Sequence, residues 1–235
     1  YVELQDAYKS ISEAFIHAGA ELHCKVKVSY INSEYLEDSD IEEKLSGHTG
    51  ILVAPGFGTR GIDGKLRAVK YAREKRIPFM GICLGMQCAV VEFARNVLGY
   101  KDAHSVEIDP TTSHPVINMM EEQKSIANMG GTMRLGAYPC RLVEGSKARE
   151  IYGTEMISER HRHRYEFNNQ YLEEYEKNGM QCVGCNPDSN LIEIVEIPEK
   201  KWFIGTQFHP EYQSTVLKPH ALFMDFVRAA IAAKK

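Results

Sequence analysis

Apolar residues at Tyr8, Ile11, Phe15 and Ala18 recur at helical spacing until Gly19, which predicts an opening helix. The pattern then changes to alternation in KVKVSYIN, residues 25–32, which reads as a strand. GILVAPG (50–56) is a short, continuously apolar run ending in Pro and Gly, as expected of a strand covered on both faces. LRAVKYAREKR (66–76) returns to helical spacing, and IPFMGIC (77–83) is a second buried strand. After it, Met86, Ala89, Val90, Phe93 and Val97 mark one helical face that Gly99 ends. Strands alternating with helices predict an α/β fold, a mostly parallel central sheet flanked by helices and joined by right-handed crossovers.

The second half is more broken. DPTTSHP to NMGGTMRLG (109–136) reads as loop-rich, KAREIYG as a short helix, and NNQYLEEYEKNG as another helix. NLIEIVEI (190–197) and KWFIGTQF (201–208) are strands close enough to pair as a hairpin, and HALFMDFVRAAIAAKK closes the chain as an amphipathic helix. No repeat, low-complexity tract or linker interrupts the chain, so residues 1–235 are expected to form one domain. An open α/β domain usually begins with a central strand. Here a helix follows Tyr1 almost at once, so the chain is expected to be part of something longer.

Composition narrows the function classes. With 235 residues and 43% apolar content the chain can bury a full core, while a formal charge of −4 gives no electrostatic footprint for nucleic acid. No run approaches the length of a membrane span, and no secretory signal opens the chain. The six cysteines, 24, 83, 88, 140, 182 and 185, read as thiols in a reducing cytoplasm.

Two glycine clusters invite chemistry. APGFGTRGIDGK places Gly56, Gly58 and Gly61 in the spacing of a dinucleotide-binding turn, but the next strand ends in Cys83 rather than an acidic residue, and no phosphate-loop signature is completed. Its surviving use is to bring backbone N–H groups close to a ligand. Gly81-Ile82-Cys83-Leu84-Gly85 is the cysteine version of the strand–nucleophile–helix elbow. A nucleophile on so tight a turn needs small neighbours, and a helix N-terminus favours its thiolate. Cys88, five residues along, reads as structural.

A cysteine nucleophile needs a base and the base an orienter. In GTQFHPEY, His209 leaves the last strand at its C-terminal end and Glu211 follows beyond Pro210, so Cys83, His209 and Glu211 form a candidate triad. In ERHRHRYEFNN, alternation would put Arg160, Arg162 and Arg164 on one face and His161 and His163 on the other. That strip is either a solvated surface or a clamp for carboxylate or phosphate. Cys182-x-x-Cys185 has no second pair at zinc spacing and is read as structural.

GICLGMQ with FHPE resembles a class I glutamine amidotransferase domain, the triad-type glutaminase with a flavodoxin-like fold. GGTMRLG, RHRHRYEFN, DPTTSHPV and YVELQDAYKSISEAFIHAG are similar, more narrowly, to the glutaminase half of the CTP synthase family. The resemblance implies that Cys83 attacks the carboxamide of L-glutamine, that His209 shuttles the proton, and that Glu211 orients His209. It implies glutamine contacts at Gly56, Leu84, Gln87, Glu107 and Arg164, with oxyanion donors from the Leu84 N–H and the Gly56 turn. Glu107 would pair with the α-ammonium and Arg164 with the α-carboxylate. Many relatives have two glycines before the Phe of that turn, where this chain has Pro55 and Gly56.

The family further implies no cofactor in this domain. It implies an N-terminal synthase domain, absent from this chain, that uses ATP and magnesium to aminate UTP, with GTP as allosteric activator and a homotetramer as the assembly. The alternatives are another cysteine hydrolase of this fold, such as a γ-glutamyl peptidase, or a non-catalytic regulatory module.

Overall fold

The structure is a computed structural model that describes residues 5–119 and 133–234. Tyr1–Leu4 of the opening stretch and the Gly-Gly-Thr of GGTMRLG (130–132) lie outside the described residues. The chain runs α1 (Lys9–Glu21), α2 (Ile41–Leu45), β1 (Ile51–Val53), α3 (Ile62–Lys75), β2 (Phe79–Ile82) and α4 (Leu84–Phe93), which continues through a π turn at Ala94–Leu98. It continues with β3 (His104–Ser105), β4 (Pro115–Met119), β5 (Arg134–Leu142), α5 (Lys147–Tyr152), β6 (Met156–His163), β7 (Tyr165–Phe167) and α6 (Leu172–Lys177). It ends with β8 (Gln181–Cys185), β9 (Ile192–Glu196), β10 (Phe203–Thr206) and α7 (Ala221–Ala233).

The main sheet has seven strands in the order β1-β2-β10-β9-β8-β5-β6, and β3, β4 and β7 form a smaller one. β1, β2 and β10 are parallel, with Gly81 opposite Gly205 and Ile82 opposite Thr206. From β10 outward the pairings are antiparallel, so the sheet is mixed rather than mostly parallel. The short connection between β9 and β10 can close only a hairpin, since a parallel return needs a crossover.

Cores fill both faces. On one, Leu66 and Val69 of α3 and Met86, Ala89 and Val90 of α4 pack on Phe79 and Phe203, whose rings stack at 4.3 Å. On the other, α1 meets α7 through Phe15 and Phe223, edge to face at 5.1 Å, over Met80, Ile82 and Ile204. Burying one such side chain contributes about 1.5–3 kcal/mol.

The expected strand at 25–32 is not one. Cys24 and Val26 turn partly inward while Lys25 between them faces solvent, but among the described residues no backbone group of 25–31 bonds to another backbone group. A cavity of about 820 Å³ separates this segment from β1. A strand needs a partner edge about 4.8 Å away, and none stands beside it among the described residues.

Candidate active site

Cys83 links β2 to α4 with φ +53° and ψ −105°, a conformation that non-glycine residues adopt at a cost of order 1–3 kcal/mol. Its neighbours must be glycine. A Cβ on Gly81 would come within 2.7 Å of the Gly85 backbone, and one on Gly85 within 2.0 Å of the Val53 carbonyl oxygen. The Cys83 N–H donates to Thr206 O at 2.7 Å, which locks the elbow to the end of β10. The same register explains why the residues after Thr206 emerge beside the sulfur.

Those residues include His209 and Glu211, both buried. His209 Nδ1 lies 2.8 Å from Glu211 Oε1, so the carboxylate holds the proton on Nδ1 and directs Nε2 away from it. The ring stacks on Tyr212 at 4.9 Å, and the His209 N–H donates to Arg160 O at 2.8 Å. Burial opposes charge on the imidazole, but the nearby Cys83 sulfur and the Glu211 carboxylate outweigh it and raise the pKa to about 10. Nε2 is buried without a complete hydrogen bond, so it couples to the sulfur electrostatically. The arrangement can hold a thiolate–imidazolium pair.

Two further groups face the sulfur. The thiol can donate to Arg162 O at 3.9 Å, and Gln207 Nε2 approaches Sγ at 3.7 Å. Gln207 is fully buried, and its Oε1 accepts from Gln87 Nε2 at 3.2 Å. Gln87 is therefore not a surface residue of α4: its amide nitrogen also donates to Tyr165 O at 2.9 Å.

The expected substrate contacts converge from several elements. A Cβ on Gly56 would touch Leu84 at 3.4 Å, so the turn after β1 lies against the residue following Cys83. Leu84 opens α4, where the first N–H groups lack intrahelical acceptors. Glu107, which follows β3, accepts from the Gly58 N–H; burial pushes its carboxyl up, and that bond and the Arg164 charge pull it partly back. Arg164 sits in the break between β6 and β7 with its Nε buried and unpartnered. The unpartnered Arg164 Nε and the Glu107 carboxylate, near enough for one charge to act on the other, suit a ligand with both charges.

Along β6 the arginines and histidines do separate. Arg160 and Arg162 are exposed, Arg162 lying 5.6 Å over the Phe57 ring, whereas His161 and His163 are buried. His161 faces Glu193, with which Arg134 pairs at 2.8 Å, so the inner side chains of β6 are held in a buried ionic cluster, while the Arg160 and Arg162 carbonyls meet His209 N–H and the Cys83 sulfur.

Sequence reasoning missed Gln207 and Lys65. Gln207 lies two residues before His209 in the quoted GTQFHPEY, and only the contact with Cys83 distinguishes it. Lys65 Nζ donates to Ala54 O at 3.0 Å and so holds the residue before the Pro55–Gly56 turn. Burial lowers its pKa, and the Cys88 and Cys83 sulfurs oppose that shift. Cys88, inside α4, is pushed up to about 11 by burial, and burial likewise raises Cys182 and Cys185. Among the described residues no cluster of three or more His, Cys, Asp or Glu side chains could hold a metal, and no helix is long and apolar enough to cross a membrane.

Residues 3–229 match the family Glutamine amidotransferase class-I. The chain is 64% identical over 230 residues to a CTP synthase of Cytophaga hutchinsonii, covering 98% of this chain and 43% of that protein. It is also 64% identical over 233 residues to a CTP synthase of Bacteroides thetaiotaomicron, covering 99% and 43%. The chain thus spans less than half the length of the curated relatives it matches. Among solved structures it superposes on the glutaminase domain of Trypanosoma brucei CTPS with bound acivicin. The TM-score is 0.93 and the identity 37%, covering 99% of this chain and 91% of that one.

Proposed function

Because the chain belongs to the glutamine amidotransferase class-I family, we propose that it is the glutaminase domain of a CTP synthase and hydrolyses L-glutamine to glutamate and ammonia. The observation that carries this is the strained Cys83 elbow set beside the buried His209–Glu211 pair. The Cys83 thiolate attacks the side-chain carbonyl carbon. Charge on the oxygen is met by the Leu84 N–H and the Gly56 turn. The C–N bond breaks as His209 gives its proton to the leaving nitrogen, and ammonia departs. Water then attacks the thioester carbonyl, losing its proton to His209; the C–S bond breaks and glutamate leaves.

Gly56, Leu84, Gln87, Glu107 and Arg164 bind the substrate in this reading. Glu107 meets the α-ammonium and Arg164 the α-carboxylate, which positions the carboxamide and rejects amides lacking those groups. We extend the proposal to the longer polypeptide. A synthase domain uses the ammonia for ATP- and magnesium-dependent amination of UTP, GTP activates hydrolysis, and the protein assembles as a cytoplasmic homotetramer. No residue of this chain is assigned to ATP or magnesium, and glutamine hydrolysis needs no cofactor here.

Covalent labelling of the protein by a glutamine-like electrophile tests the site without requiring a partner domain. The expected result is exclusive modification of Cys83, absent in Cys83→Ala; preferential labelling of Cys88 or Cys185 would overturn the assignment. For free glutamine, Glu107→Gln and Arg164→Met should raise KM far more than for an amide without α-groups. Equal effects on both substrates would remove Glu107 and Arg164 as the groups that hold the α-ammonium and α-carboxylate.

A further inference from the structure

We propose that Gln207 is a further catalytic residue: its carboxamide N–H, oriented by Gln87, donates to the Cys83 sulfur and holds it as the thiolate. This rests on Cys83 being the nucleophile. The direction of the contact follows from one carbonyl. Tyr165 O can only accept, so the Gln87 amide must turn its nitrogen toward it, and does so at 2.9 Å. The same nitrogen faces Gln207 at 3.2 Å, so Gln207 must present its oxygen there. The Gln207 nitrogen is then left facing Sγ at 3.7 Å. Reversing either amide would oppose two acceptors or two donors between buried side chains, where an unmade hydrogen bond costs about 1–3 kcal/mol.

The chain is anchored at both ends. Tyr165 O also accepts from His163 Nδ1 at 3.2 Å, and the Gln207 N–H donates to Glu193 O at 2.8 Å. Because Tyr165 follows Arg164, the proposed α-carboxylate clamp and the nucleophile share one hydrogen-bonded track. Arg162 O is an acceptor and favours the neutral thiol. Gln207 therefore supplies a donor that favours thiolate from the side of the β10 exit, independently of His209.

The other titratable groups around the sulfur are Lys65 of α3, Cys88 of α4, and His209, Glu211 and Tyr212 beyond β10. None of them is altered in the test. The protein is alkylated with iodoacetamide across a pH series, and modification at Cys83 is quantified by peptide mass spectrometry. Gln207→Met keeps the volume and removes the donor. It should raise the midpoint of Cys83 alkylation by about one pH unit, so that alkylation below the midpoint slows about tenfold. Gln87→Met leaves Gln207 in place but without its orienter. It should shift the midpoint in the same direction by less, about threefold in rate.

A midpoint within about 0.3 unit of the parent in folded Gln207→Met would overturn the proposal. If Gln207→Met does not fold, an unmoved midpoint in Gln87→Met overturns it instead. A purely structural role for Gln207 would lower the melting temperature without moving the midpoint. If Cys83 in the parent protein is alkylated no faster than Cys88, the nucleophile assignment itself fails, and the two failures are told apart.

Discussion

The corner where β2 and β10 run side by side and the outer edge beyond β1 both carry strand-like patterns, an apolar run at the first and alternation at the second, but they differ in what lies beside them. At the corner, each strand end is pinned by the next: Cys83 N–H to Thr206 O, His209 N–H to Arg160 O, Gln207 N–H to Glu193 O. At the edge, the sequence of residues 25–30 alternates, yet among the described residues no backbone bond reaches 25–31, and a cavity of about 820 Å³ lies beside the segment. β6 has β5 along its whole length. Alternation specifies which side chains share a face. Only an adjacent backbone converts that face into a position accurate enough for chemistry.

The contrast can be broken by substitution. The largest effect belongs to Cys83→Ala, expected to lower glutamine hydrolysis by about 10⁴-fold or more with the melting temperature nearly unchanged. Glutamate release and calorimetry read the two quantities. Next is Glu211→Gln, expected to reduce kcat about 10²- to 10⁴-fold. Glu211 helps raise the His209 pKa to about 10, so its neutral replacement should move the imidazole titration downward. NMR of the His209 ring checks this, and an unmoved titration would remove Glu211 as orienter.

Packing separates the regions more gently. Gly85→Ala puts a Cβ 2.0 Å from Val53 O and should destabilise by about 3 kcal/mol or more. Gly47→Ala, on the wall of the edge cavity, meets nothing within 4 Å but has φ +78°, and should lose only about 1 kcal/mol. Denaturant titration compares them, and equal losses would contradict the idea that the corner is the tightly built region. The smallest effect is expected at the edge itself, where Val28→Thr should change stability by less than about 0.5 kcal/mol. Amides 25–31 should exchange with solvent far faster than those of β6; comparable protection would mean that the segment has a partner.

Much of the fold was legible because its signals are local. α1, α3, α4 and α7 follow from helical spacing ended by glycine or polar residues, and the β9–β10 hairpin from its short connection. β3, β4, β5, β7 and β8 were not read, and β4 lies inside the stretch 109–136 expected to be loop-rich. In β5, Gly136 and Pro139 suggest a loop, but β5 meets β8 only at Arg141 and Leu142, so Pro139 faces no ladder on that side and is tolerated. In β8, the register shifts around Gly184 break the alternation. The strand expected at 25–32 failed for the opposite reason, an alternating pattern with no paired neighbour among the described residues.

The elbow and the His209–Glu211 pair were legible in the local sequence. Both are set by residues within a turn of one another, through the steric demands of Gly81 and Gly85 and the i, i+2 spacing across Pro210. The resemblance to a known family named Glu107 and Arg164. Only the tertiary structure decided that Gln207 faces Cys83, 124 positions apart, and that Gln87 is turned inward to hold it. The sense of a buried amide is set by the donors and acceptors around it, and those come from α4, β7 and the exit of β10 at once, an arrangement that no local spacing encodes.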